Sequence, residues 1–283
     1  MMEVKVDDPR LYSWPDLPLA VVIGAGGMGL AVAKRLGQHA RLLIADLDAE
    51  RLESVKSDLE AGGYWIQTAP VDVTDQASVT SFASTVEQMG GFDSLAHVAG
   101  LSPSMANWQT VMSVNLRGPA LMAEKLLPHA NRGSAAVFIS SLAGHMATFN
   151  PEVGKILADP LADDLIEQLD RALGAEMNST LSYLLSKKAL INLCQRLAAS
   201  WGREAARINS VSPGLIATPM GALEFENQPS KFDLLEKTPI KRQGNVHEIC
   251  DAVEFLLSPK ASFISGTDLL VDGGINAALK FAQ

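Results

Sequence analysis

The chain has 283 residues, 47% hydrophobic and 19% charged, enough to bury a sizeable core as one large α/β domain or two small ones. Its net charge of −9, with basic residues no more clustered than Lys34-Arg35, Lys187-Lys188 and Lys241-Arg242, argues against a nucleic-acid groove or an anionic membrane as partner. Two cysteines, Cys194 and Cys250, give neither a metal-binding spacing nor a disulfide framework and fit a reducing, cytoplasmic setting, with Cys194 expected as a small core residue.

Residues 1–18 are polar and acidic, broken by Pro15 and Pro18, and lack the basic start and apolar stretch of a signal peptide. They are expected to form a tail on the domain surface. No apolar run reaches the ~18 residues that a membrane span needs. From Leu19 onward, short β-rich runs alternate with longer helical patterns. The predicted strands are Leu19–Gly24, Ala40–Ala45, Tyr64–Pro70, Ser94–Ala99, Ser134–Ser140, Arg207–Ser212 and Asp268–Val271. The predicted helices cover 28–37, 48–61, 75–89, 104–129, 181–204 and 245–258. Runs such as Ala135–Ile139 are apolar on successive residues, as in strands buried on both faces. Alternation of this kind implies right-handed crossovers and one α/β domain over 19–283, a doubly wound parallel sheet with helices on both faces.

One stretch breaks the rhythm. About 40 residues separate Ser141 from Tyr183, where a short loop would serve, and the insertion proper is placed at about 145–178. Within it, Asp159-Pro160 reads as an N-cap followed by proline at the first helical position. Leu161, Leu165, Leu169 and Leu173 then recur every four residues, which predicts an amphipathic helix ending near Gly174. It would cover a site mouth, form an oligomer contact or simply decorate the surface.

The first strand runs into Gly24-Ala-Gly-Gly-Met-Gly29 and then into a helix. Glycines there allow a tight turn and let backbone N–H groups approach a pyrophosphate at the helix N-terminus, which makes Gly24, Gly26, Gly27, Met28 and Gly29 candidate dinucleotide contacts. Asp46, at the end of the second strand, is placed to accept hydrogen bonds from ribose hydroxyls. Its charge would repel a 2′-phosphate, and Leu47 after it supplies no compensating cation, so NAD is expected rather than NADP. Asp46 could instead only cap the following helix. Asp72, in Val71-Asp-Val73, is a candidate to meet the adenine amino group and equally a turn residue.

Tyr183 and Lys187 are four residues apart and share a helix face, whereas Lys188 points ~140° away from Tyr183. A phenol titrates near 10, and a cation within a few ångströms favours the phenolate. Such a pair suits proton exchange with an alcohol or ketone oxygen. Alone it is a common coincidence.

In chain order, the motifs are the glycine loop, Asp46, Asp72-Val73, His97-Val-Ala-Gly100, Val114-Asn-Leu-Arg-Gly118, Ile139-Ser-Ser141, Tyr183-Leu-Leu-Ser-Lys187, Ser212-Pro-Gly214 and Asp272-Gly-Gly274. Together they resemble the short-chain dehydrogenase/reductase family over about residues 19–275. The resemblance implies a Rossmann-type fold of about seven strands and NAD(P)-dependent hydride transfer between nicotinamide C4 and a carbinol carbon. It implies that Tyr183 is the general acid/base, that Lys187 lowers its pKa and holds the nicotinamide ribose, that Ser141 bonds the substrate oxygen, and that Asn115 anchors a water of the proton relay. It implies that Ala99 and Gly100 shape the adenosine side, and that Pro213, Gly214, Ile216 and Thr218 border the nicotinamide.

Two departures stand out. Ile23 replaces the family's usual threonine before a loop that is one residue shorter, and His97-Val replaces a usual pair of asparagines. His97 is expected as a structural hydrogen-bonder beside the cofactor rather than a base or metal ligand, and no metal is expected. The long insertion, Ala199-Ser-Trp-Gly202, Arg207–Gly214 and Leu257-Ser-Pro-Lys-Ala-Ser262 are similar to bacterial 3α-hydroxysteroid dehydrogenase/carbonyl reductases. The predicted substrate loop, 216–241, carries Met220, Leu223, Phe225, Phe232, Leu234, Leu235 and Pro239, which would favour a hydrophobic alcohol or ketone if they face inward. A different class of function, a non-catalytic NAD(H) sensor, would not need Asn115, Ser141, Tyr183 and Lys187 together. The insertion would obstruct one helix-to-helix contact, so a homo-oligomer is expected, a dimer before a tetramer.

Overall fold

The computed structural model describes residues 17–219, 221, 222, 225 and 230–281. The expected tail thus lies, but for its last two residues, outside the described residues, and so do Met220 and Leu223.

The main sheet has seven strands, all parallel. In chain order they are β1 (Leu19–Ile23), β2 (Arg41–Asp46), β3 (Ile66–Pro70), β4 (Phe92–His97), β5 (Ala130–Ile139) and β6 (Arg207–Pro213), followed after a short two-strand pair, β7 (Ile216–Ala217) and β8 (Gly244–Asn245), by β9 (Asp268–Val271). The spatial order is β3-β2-β1-β4-β5-β6-β9. All seven predicted strands are present. The order reverses between β1 and β4, and the crevice outside the carboxyl ends of those two strands is where such folds bind ligands.

Alternation along the strands sends side chains into two cores. Leu19, Val21 and Ile23 face one core with α3 (Gln76–Gln88), α5 (Gly118–Leu126) and the long α9 (Ser179–Arg203). Ala20 and Val22 face the other, with α1 (Gly27–Leu36), α2 (Ala49–Ala61) and α10 (Val246–Leu257). Cys194 is buried in the first core, as expected, and burial pushes its thiol pKa up. Side-chain caps fix the helix starts: Asp48 accepts from Arg51 N, Asp75 from Ala77 N and Ser78 N, and Asn178 from Leu181 N.

The predicted helix over 104–129 is divided. Asn107 caps a short α4 (Trp108–Met112), a π-turn spans Ser113–Arg117, and α5 follows. The insertion also differs from expectation. The cap-and-proline start belongs to Asn150-Pro151, where Asn150 Oδ1 accepts from Val153 N at 2.9 Å and opens α7 (Pro151–Ala158). Asp159-Pro160 instead begins a pair of tight turns, Ala162 N to Asp159 O and Leu165 N to Ala162 O, each 3.2 Å. Arg117 of the π-turn holds the carbonyl of Ala162 at 2.9 Å, and Leu161 turns toward the α9 side of the sheet core. The helix α8 therefore spans only Leu165–Leu173, ending at Gly174 with φ +45°.

Beyond Met146, the insertion packs outside the site rather than over it. Val153, Leu157, Leu165 and Leu169 form a third cluster with Met112, Leu116, Leu185 and Ala189 of the α4–α9 face. Truncating a buried leucine such as Leu169 costs about 2–5 kcal/mol. The insertion thus acts as a brace on the helices that carry the functional residues.

Candidate active site

The sharp turn after β1 is shaped by its glycines. Gly24 has φ +101°, and a Cβ there would lie 2.6 Å from Ala99 N. A Cβ on Gly29 would lie 1.8 Å from Gly24 O, so helix α1 can approach the strand only with glycine at that position. Gly26, the N-cap of α1, faces open space. These are the three glycine duties of a dinucleotide-binding turn: tight turn, open approach for a pyrophosphate, and close helix–strand packing.

A cavity of about 780 Å³ runs from this turn to α9. Gly24, Gly26, Gly27, Met28, Gly29, Asp46, Asp72, Val73, Ala99, Gly100, Pro213, Gly214, Ile216 and Thr218 all line it, as do Ser141, Tyr183 and Lys187. At the far end, Asp46 Oδ2 accepts from Ala25 N at 2.6 Å, while Oδ1 accepts from Asp48 N at 3.0 Å and Arg51 Nη1 at 3.1 Å. A carboxylate offers about four acceptor positions, so Asp46 keeps room for one hydroxyl. Residue 47 is a leucine and supplies no cation. The structure supplies one from one turn into α2: Arg51 bridges Asp46 and Asp48 and lines the cavity. Asp72 Oδ1 accepts from the amide of Thr74 at 2.8 Å and its hydroxyl at 2.7 Å, so Asp72 shapes its turn as well as bordering the cavity.

At the other end, α9 is pinned on both sides. Ser179 and Ser182 donate to the carbonyls of Ala106 and Trp108, each at 2.8 Å, and Ser140 Oγ donates to Lys187 O at 2.8 Å. Lys187 is 5% exposed, donates from Nζ to Ile139 O at 3.0 Å, and lies 5.8 Å from the centre of the Tyr183 ring. Ser141, at the end of β5, caps the five-residue helix α6 (Leu142–Met146) by accepting from Ala143 N at 3.2 Å. Gly100 lies beside these groups rather than at the adenosine end, since a Cβ on it would be 3.2 Å from Asn115 Oδ1 and 3.3 Å from Lys187 Nζ.

Asn115 sits behind the cavity wall, fully buried on the π-turn. Its side chain is committed to the main chain of Leu101, accepting from Leu101 N at 2.8 Å and donating to Leu101 O at 2.9 Å. Its visible task is to hold the 98–101 loop, not to present its amide to the cavity. His97 departs from expectation in part: its ring stacks on Phe138 with centroids 5.3 Å apart, it hydrogen-bonds only to its own backbone, and its Nε2 has no hydrogen-bond partner among the described residues. Burial, with the Lys187 charge adding, lowers its pKa to about 3, so it is a neutral stacking group. No group of three or more metal-ligating side chains occurs among the described residues. Pro219, Lys231 and Leu234 come from the predicted substrate loop, whereas Leu101, Met105, Leu142 and Met146 were not foreseen as lining residues. They come from loops and short helices, where no periodicity announces a face.

Comparison with known proteins agrees with this geometry. Residues 18–152 match the family described as short chain dehydrogenase, and residues 169–276 the family described as enoyl-(acyl carrier protein) reductase. The gap between the two matches falls in the insertion. The chain is similar to the short-chain dehydrogenase/reductase bsc3 of Alternaria brassicicola, 34% identical over 92% of this chain and 96% of that protein. It is also similar to gluconate 5-dehydrogenase of Gluconobacter oxydans (strain 621H), 30% identical over 96% and 99% of the two chains. Among solved structures, a short-chain type dehydrogenase/reductase from Mycobacterium ulcerans superposes with a TM-score of 0.74 at 25% identity, covering 92% of this chain and 90% of that one.

The chain belongs to the short-chain dehydrogenase/reductase family. It is an oxidoreductase of alcohols and carbonyl compounds, working with a nicotinamide dinucleotide.

Proposed function

We propose that this enzyme is an NAD-preferring oxidoreductase that interconverts hydrophobic secondary or aryl alcohols and their carbonyl compounds, in the manner of the 3α-hydroxysteroid dehydrogenase/carbonyl reductases its sequence resembles. The observation that carries this is the make-up of the cavity end around Tyr183. Apart from the reacting groups, Leu101, Met105, Val114, Leu142, Met146, Pro219 and Leu234 line it, with Thr110 and Lys231 as the polar members. An apolar wall with a few convergent polar groups suits a hydrophobic substrate held by one oxygen.

The fit to a dinucleotide rests on the open backbone at Gly26 and the cavity that joins it to Tyr183. Gly24–Gly29 would hold the pyrophosphate, Asp46 a ribose hydroxyl, and Pro213, Gly214, Ile216 and Thr218 the nicotinamide end. The dinucleotide supplies or accepts the hydride. Ser141 donates to the substrate oxygen, and the Tyr183 hydroxyl exchanges its proton. Lys187, held at Ile139 O, favours the phenolate. Asn115 keeps the 98–101 loop in place. NAD preference is kept despite Arg51, because its guanidinium already serves Asp46 and Asp48. The enzyme acts as a homo-oligomer in the cytoplasm, a dimer before a tetramer, since the insertion covers the α4–α9 face.

The test is NADH formation at 340 nm with steroid, aryl and aliphatic alcohols, repeated with NADP. Turnover of an apolar class with NAD, well above that with NADP, is expected. Turnover confined to small polyols, or faster turnover with NADP, would overturn the respective half of the reading.

A further inference from the structure

A row of side chains crosses the sheet beneath α9. Ile23, His97, Phe138, Ser210 and Asp268 are register partners in turn, from β1 to the edge strand β9. Asp268 ends the row as a carboxylate whose side chain is only 5% exposed. Burying a carboxylate is tolerated only where donors replace its lost water. Three do so. Ser210 Oγ and Ser212 Oγ, both fully buried, donate to Oδ1 at 2.5 and 2.9 Å, and His145 Nε2 lies 2.7 Å from Oδ2.

The partners belong to segments that matter. His145 is in the last turn of α6, the five-residue helix that Ser141 caps and that ends at Met146 on the cavity wall. A helix that short does not hold its own shape in water. It is fixed by the Ser141 cap, by Gly144 lying against the Lys187 main chain, and by His145 on Asp268. Ser212, the other arm, leads directly into Pro213-Gly214, which also line the cavity. Neither His145 nor Asp268 lines the cavity.

We propose that His145 and Asp268 form a positioning clamp that holds α6, and with it Ser141, in register with the 212–214 turn and Tyr183. The clamp rests on the oxidoreductase function of the site and acts through Ser141 without touching substrate or cofactor. Misplacing a reacting group by about an ångström costs rate far more than binding. The clamp's loss should therefore appear in kcat rather than KM.

The experiment compares His145→Ala, His145→Gln and the near-isosteric Asp268→Asn, alone and with Ser141→Ala, using the alcohol the wild-type enzyme turns over best. His145→Ala is expected to lower kcat by about tenfold or more with KM nearly unchanged, and to raise the isotope effect on a carbinol-deuterated substrate. His145→Gln, whose amide can still donate, should recover most of the rate, and His145→Ala should add little once Ser141 is gone. Amide exchange over 142–147 should speed up in His145→Ala and not in His145→Gln, a readout that needs no turnover. An unchanged kcat and exchange pattern in His145→Ala would overturn the clamp, as would equal loss in the Ala and Gln variants or a full multiplicative loss in the Ser141→Ala background. If His145→Ala does not fold, Asp268→Asn carries the same expectations. A wild type inactive on every alcohol would count against the function alone, with the exchange measurement still deciding the clamp.

Discussion

The two ends of the cavity are built from different material. The dinucleotide end is made of backbone: a glycine turn, a helix N-terminus and one carboxylate tied to Ala25 N. The Tyr183 end is made of side chains brought from α4, α6, α9 and the 213–219 segment, and held by hydrogen bonds that span 47 to 74 residues of sequence. Backbone geometry is written in short local motifs, whereas a side-chain wall exists only once distant segments have packed. The first end fixes what every such enzyme needs, and the second chooses the substrate.

The largest expected effect separates steric from ligand-binding glycines. Gly29→Ala drives a methyl into Gly24 O and should abolish NADH binding together with most of the stability. Gly26→Ala meets nothing, so its melting temperature should stay near wild type while NADH affinity falls. Equal NADH affinity in Gly26→Ala and wild type would put the pyrophosphate elsewhere.

Next is a pH effect between the ends. His97 stays neutral in the folded protein down to about 3, against an ordinary value of 6.5, chiefly because it is buried. Between those values the unfolded chain binds a proton that the native state refuses. This group's share of stability is thus complete above ~6.5 and drains away as pH falls toward 3, by ~1.4 kcal/mol per pH unit. His97→Asn should flatten the acid limb of a stability–pH curve measured by urea unfolding. An unchanged slope would mean that His97 is protonated in the fold.

A smaller effect concerns cofactor choice. Asp46→Ala should cut the NAD/NADP preference by about tenfold, since a hydrogen bond to a charged group is worth ~1.5–3 kcal/mol. Arg51→Ala should widen the preference by a few-fold, and a narrower ratio in that variant would show that Arg51 does not favour the 2′-phosphate. The smallest effect is at the substrate end. Met146→Ala, at a half-exposed wall position, should raise KM for an apolar alcohol several-fold with NADH affinity unchanged. No change in KM would remove α6 from the substrate wall.

Legibility in the sequence follows the same division. The seven strands, Gly24–Gly29, Asp46 and the Tyr183–Lys187 pair were readable because each is a local pattern with its own periodicity or spacing. Arg51 was not, because its link to Asp46 depends on the first turn of α2 folding back. The helix start at Asp159-Pro160 was misplaced because Arg117, 45 residues away, holds the carbonyl of Ala162 and favours a turn there. His97 keeps a hydrogen bond only to its own backbone, and its stacking on Phe138 follows from the register with β5, which no local pattern shows. Asp268 and His145 carry no motif at all, and 123 residues separate them.

The most direct test of the account is Tyr183→Phe, measured for both NADH affinity and turnover of the best alcohol. NADH affinity should stay close to wild type while kcat falls by about 10²–10⁴-fold, the usual range for a lost general acid/base. Retained turnover would contradict proton exchange at Tyr183, and loss of NADH binding along with turnover would contradict the division of the cavity into two ends.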